Sequence, residues 1–145
     1  MTATEYVVDV LGGSRVFRGG TAPTSTQLRD RIKKGLPYSS LESVRERLHL
    51  SVPEAASVLQ MPARTLARRR LSRKLGADES DRLYRLARVA AQAVDVFGTE
   101  DKAATWLRRP NRALNDEWPI RLLDTDVGTR QVEDTLGRIA HGVIS

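Results

Sequence analysis

Residues 51–74 read SVPEAASVLQMPARTLARRRLSRK, and this stretch decides the fold. Ser51 and Glu54 form a capping box. The serine hydroxyl can accept the N–H of residue 54 while the glutamate reaches back to the N–H of residue 51. Pro53 suits a first helical turn, where a missing N–H costs nothing. The spacing predicts a helix over 52–59 with Ala55, Val58 and Leu59 on one side. It breaks at Met61-Pro62, because proline disfavours helix at the residue before it. A second helix is expected over 63–73, with Leu66 and Leu71 facing inward. Two short helices joined by a three-residue turn, the second one basic, describe a helix-turn-helix. Small Ala56 would let the helices cross closely, and Leu59, Met61 and Leu66 would supply the core between them. Gln60 stands where the chain tends to positive φ and glycine is more usual.

The second helix also carries the protein's charge. Arg64–Lys74 holds six basic residues and no acid, whereas the whole chain has 24 basic and 18 acidic residues, a formal +6. Without that segment the remainder is 18 against 18, which is neutral. A surplus focused on one helix makes a local field that a polyanion can use. Arg64, Thr65, Arg68, Arg69, Arg70, Arg73 and Lys74 are the candidate DNA contacts, through guanine edges and phosphates. The bland alternative is a solvated amphipathic helix.

Outward from this segment the pattern stays helical, so the fold class is all-α. Aromatics are only 5% of the chain and 40% is hydrophobic, so the core must be built mostly of Leu, Val and Ala. That mixture favours helices. There is no cysteine, which excludes disulfides and thiolate metal sites. No apolar run approaches a membrane span. The N-terminus carries Glu5 and Asp9 and lacks the basic start of a signal peptide, so the chain reads as cytoplasmic. Residues 1–26, with Gly12-Gly13 and Gly19-Gly20, read as a tail, loosely ordered, in which Val7, Val8, Val10 and Leu11 form a short strand or pack on a neighbour. Residues 27–77 form the helix-turn-helix region. A short helix over 27–34 stops at Gly35 and Pro37, and another near Ser39 carries Leu41, Val44 and Leu48.

Residues 78–145 form the second region. Asp78 can cap a long helix with an apolar stripe of Leu83, Leu86, Ala87, Ala90, Val94 and Phe97. Thr99 caps a helix bearing Ala103, Trp106 and Leu107, Pro110 turns the chain, and a last helix spans 127–141. Residues 81–145 hold ten basic and ten acidic residues, so this half is not a second polyanion binder. Trp106, Trp118 and arginines that look exposed suit a protein interface or dimerisation surface, the alternative being that the tryptophans fill a core with few other aromatics. No catalytic set appears: His49 and His141 lie in different halves, and Asp124 and Asp126 sit at a helix start, where they favour the dipole. No metal or cofactor motif is present.

Particular residues in this half carry a resemblance. Ser80-Asp81-Arg82-Leu83, Phe97-Gly98, Trp106-Leu107, Pro110-Asn111-Arg112-Ala113-Leu114, Pro119, Leu122-Leu123-Asp124-Thr125, Gly128 and the RIAHGV ending resemble the toxin-binding region of Xre/MbcA/ParS-type antitoxins. Residues 39–76 resemble the Xre-like helix-turn-helix that precedes it. The sequence departs from that pattern at Gln60, and at Asn115-Asp116-Glu117-Trp118, where the family commonly has a glycine-containing loop.

The resemblance implies an antitoxin of a type II toxin-antitoxin system. Its partners would be a RES-domain toxin that consumes NAD, and operator DNA through which it represses its own operon. It would be a homodimer within a larger complex and not an enzyme. Carried over, the toxin-binding residues would be Asn111, Arg112, Leu114, Glu133, Arg138, His141, Gly142, Val143, Ile144 and Ser145, the tail covering the toxin's NAD pocket. Apolar Val143 and Ile144 followed by a carboxylate suit a pocket lined with cations. The alternative is a stand-alone helix-turn-helix regulator whose C-terminal half only dimerises.

Overall fold

A computed structural model describes residues 2–19 and 22–142. Eight α-helices account for most of them: α1 (Ala3–Val10), α2 (Ser25–Lys34), α3 (Tyr38–Arg47), α4 (Val52–Val58), α5 (Ala63–Ser72), α6 (Ala77–Phe97), α7 (Glu100–Leu107) and α8 (Asp126–Ala140). Short 3-10 helices lie at Gly13–Arg15, Arg112–Leu114 and Pro119–Asp124. The described residues contain no β-strand beyond two isolated bridges.

The long helix α6 is the axis of the fold. Leu83, Leu86, Ala87, Val89, Ala90, Ala91 and Ala93 are all buried, so apolar residues cover more than the single stripe the sequence suggests. Small alanines let neighbours approach on several sides, and α1, α2, α4, α7 and α8 all pack against it. The helix begins at Ala77 and is not capped by Asp78. Glu79 reaches back to accept the Gly76 N–H at 2.7 Å.

The N-terminal residues depart from the tail or strand expected of them. Thr2 and Glu5 form a capping box, with the Glu5 N–H donating to Thr2 Oγ1 at 3.1 Å and the Thr2 N–H to Glu5 Oε2 at 2.7 Å. Tyr6, Val7, Val10 and Leu11 recur at helical spacing and are buried against α6. The Tyr6 hydroxyl donates to Glu100 at 2.6 Å, and Arg47 pairs with both Glu100 (2.8 Å) and Asp9 (3.0 Å). Burial and the Glu100 carboxylate push the Tyr6 hydroxyl far above its ordinary pKa. These contacts fasten α1 to α3 and α7.

Gly35 ends α2 at φ +93°, and a Cβ there would lie 2.3 Å from the Leu75 carbonyl oxygen. The close approach lets the Leu75 N–H donate to Leu36 O (2.9 Å) and the Tyr38 N–H to Arg73 O (3.0 Å), which stitches the end of α5 to the start of α3.

Candidate DNA-binding helix and partner-binding face

Both halves of the helix-turn-helix form where the sequence places them, within a residue. The Ser51–Glu54 box closes at 3.2 and 2.9 Å, starting α4. Gln60 adopts φ +52°, the left-handed conformation expected of that turn position. Its side-chain amide donates to the backbone carbonyl of Asp124, so the residue that replaces glycine ties the turn to the second half of the chain. A second tie lies beside it: Arg108 grips Glu54 through two contacts of 3.2 Å. The Glu54 carboxyl is opposed by burial but held below its ordinary range by its bonds to Ser51 and Arg108.

Leu59 and Met61 are buried as expected, and Leu66 packs half-buried on the core. Two details differ. The fully buried small residue of α4 is Ala55, with Ala56 partly exposed. Leu71, read as inward, is 86% exposed. Helix α5 buries none of its residues and is held at one edge only, so nothing covers Leu71.

That exposure displays the basic residues. Arg64, Arg68, Arg70, Arg73 and Lys74 are exposed and Thr65 half-exposed. Arg69 stands apart. Its Nε donates to Glu79 Oε1 at 2.8 Å, and the two side chains are 31% and 11% exposed. Arg69 therefore anchors α5 to the start of α6 through its Nε. Arg73 ends the helix in the left-handed region at φ +61°.

The C-terminal candidates divide in the same way. Arg138, His141 and Gly142 are exposed near the end of α8, and Arg112 is exposed on the 3-10 helix packed against α8. Leu114 is only 6% exposed and belongs to the core. Glu133 accepts two bonds from Arg88 (3.1 and 3.2 Å), fastening α8 to α6. Asn111 caps its own loop, where its Oδ1 accepts the Ala113 N–H at 2.9 Å. Val143, Ile144 and Ser145 lie outside the described residues.

Asn115 and Asp116 both take positive φ, +57° and +62°, in a turn closed by the Glu117 N–H donating to Leu114 O at 3.1 Å. These are the residues that tolerate this conformation best after glycine, so the loop takes positive φ without one. Trp106, which looks exposed in the sequence, is buried against Phe97 with ring centroids 5.5 Å apart. Trp118 is half-buried beneath the Arg121 guanidinium.

The sequence reading named Arg138 and His141 but missed the rest of the outer stripe of α8. Val127, Arg130, Gln131, Asp134, Arg138 and His141 fall on one helix face, and all are exposed, Val127 by 70%. Its signal is the complement of the buried Val132–Leu136 face. Gly128 sets how α8 sits: a Cβ there would lie 2.0 Å from the Leu122 carbonyl oxygen.

A helix-turn-helix with an exposed cationic helix, joined to a neutral helical half whose last helix leaves a mainly polar face uncovered, belongs to the class of helix-turn-helix proteins that carry a second helical region. Comparison with known proteins makes the class specific. Residues 27–88 match the antitoxin Xre-like helix-turn-helix domain, and residues 92–142 match the antitoxin Xre/MbcA/ParS C-terminal toxin-binding domain. The chain is 37% identical over 131 residues to antitoxin Xre of Yersinia enterocolitica, covering 88% of this chain and 87% of that one. It is 35% identical over 116 residues to antitoxin Xre of Photorhabdus laumondii (79% and 78% covered). With antitoxin Xre of Pseudomonas putida it shares 38% identity over 117 residues (80% and 72% covered). The chain belongs to the Xre antitoxin family. Its role is that of a toxin-antitoxin regulator with a toxin and DNA as partners. None of its described helices is long and apolar enough to cross a membrane.

Proposed function

We propose that this antitoxin neutralises a RES-domain, NAD-consuming toxin by direct contact, and represses its own operon through α5. The observation that carries the first part is the exposed end of α8. Arg138, His141 and Gly142 stand clear of the core on the segment that leads into Val143–Ser145. That end is free to enter a concave site whose ligand is anionic, with the tail occupying the place of NAD. The free stripe from Val127 to His141 would supply the surrounding contact area. Repression follows from the same molecule placing Arg64 and Arg68 on DNA. A second copy of the chain would give the pair of recognition helices that operator half-sites require.

The test is co-expression with a RES-domain protein encoded beside it. Removal of residues 142–145 should restore growth inhibition while leaving DNA binding intact. Full neutralisation by the truncated chain would refute the role given to the tail. Unaltered DNA binding after Arg64→Ala and Arg68→Ala together would refute the role given to α5.

A further inference from the structure

Helix α5 carries more than charge. Ala63, Ala67 and Leu71 follow one another at i, i+4 and i+8, and all three are exposed. They form an apolar strip ending in a leucine that is 86% exposed. Arg64 and Arg68, one position further on in each turn, border one side of the strip, and Arg70 borders the other. Leu71 supports nothing in the fold: α5 buries no residue, and its attachment runs through Leu66, Arg69 and the stitching of residues 73–75 to residues 36–38. A helix that only collected phosphates would gain nothing from an apolar centre between cationic rows.

We propose that the Ala67–Leu71 strip reads thymine through its C5-methyl group. The inference rests on α5 being the DNA-binding helix. In the major groove each thymine presents a methyl beside its O4 acceptor, and apolar side chains are its natural contact. Flanking arginines reach guanine edges or the phosphates on either side, so the strip lies over the floor of the groove. The chain thus selects a site in which thymine adjoins guanine, with Leu71 supplying a discrimination that its arginines cannot. Burial of one methyl corresponds to about fourfold in affinity.

The experiment uses the full-length protein and the DNA segment directly upstream of its coding sequence. That segment is prepared once with thymidine and once with deoxyuridine, which lacks only the methyl. The wild-type chain should bind the thymidine duplex about fourfold or more tightly than the deoxyuridine duplex. Leu71→Ala should bind both alike, at the weaker level, and Leu71→Lys should bind more tightly in general without discriminating. Arg68→Ala should lose affinity for both and keep the thymidine preference. Equal binding of the two duplexes by wild type overturns the proposal while leaving DNA binding by α5 in place, as does undiminished discrimination by Leu71→Ala. A drop in oligomeric state of Leu71→Ala in sedimentation, with discrimination kept, would instead make the strip a contact between copies and overturn it. Wild-type protein that prefers neither duplex to random competitor DNA removes the underlying assignment as well.

Discussion

Replacing Arg69 with alanine separates an anchoring arginine from the proposed DNA contacts around it. Arg69 donates to Glu79 at 2.8 Å, and Glu79 also accepts the Gly76 N–H at 2.7 Å. Truncation leaves an 11% exposed carboxylate with one partner in place of two. Losing a charged hydrogen bond in such a place costs about 1.5–3 kcal/mol, and the partial exposure of Arg69 (31%) argues for the low end. A loss of about 1.5 kcal/mol corresponds to roughly 3–6 °C in Tm for a chain of this size. The two arginines should therefore behave in opposite ways. Arg69→Ala should lower Tm by that amount and weaken DNA binding by loosening α5, with the salt dependence of binding unchanged. Arg68→Ala should leave Tm alone and reduce the slope of log K against log salt by about one. Thermal melts and a salt titration of DNA binding measure both. Combining Arg69→Ala with Glu79→Gln should cost less than the two changes summed, since the pair shares one interaction. If Arg69→Ala melts with wild type and flattens the salt dependence, the anchoring role given to Arg69 is wrong.

Three further outcomes are expected. Gly128→Ala should destabilise by about 3 kcal/mol or more, because its Cβ would sit 2.0 Å from the Leu122 backbone oxygen and α8 must move; urea unfolding and toxin neutralisation should both register it. At Gln60, glycine should relieve about 1 kcal/mol of left-handed strain while losing the bond to Asp124, for a small net change, whereas alanine loses the bond and keeps the strain, costing about 1–2 kcal/mol in denaturant titration. Glu54 is held below its ordinary value of 4.5, so it stabilises the fold fully above that pH, and the contribution fades as pH falls through the lowered value. Melting temperature should decline on that acidic limb, and Glu54→Gln should start lower and show less of the decline.

Much of this architecture was legible because single residues impose it. Ser51, Glu54 and Pro62 dictate where α4 and α5 begin through hydrogen-bonding capacity and ring sterics alone, and the structure follows them. The turn at Gln60 was readable for the same reason. The N-terminal helix was not, because the glycine pairs at 12–13 and 19–20 and the valine-rich run outweighed a second capping box at Thr2–Glu5. What α1 gains by packing on α6 is a tertiary effect that local propensity does not contain. Leu71 and Trp106 exchanged places for a related reason: apolarity tells which residues favour burial, but only the packing of α5 and α7 decides which find cover. The binding candidates show the sharpest limit. Arg69, Glu133 and Leu114 have the chemistry of contact residues, and only coordinates reveal that Glu79, Arg88 and the core already engage them.

The stretch matching the helix-turn-helix ends at residue 88 and the toxin-binding stretch begins at 92, both inside the unbroken helix α6. Val89, Ala90 and Ala91 between them are buried. The two functions thus share a beam and have no hinge. A protease finds no linker there, a melt should pass through one transition, and exchanging toxin specificity between relatives by recombination would require a seam through the middle of a packed helix. On the proposed reading, divergence in either partner is met by residues on the outer faces of α5 and α8, the surfaces that the shared helix leaves free to change.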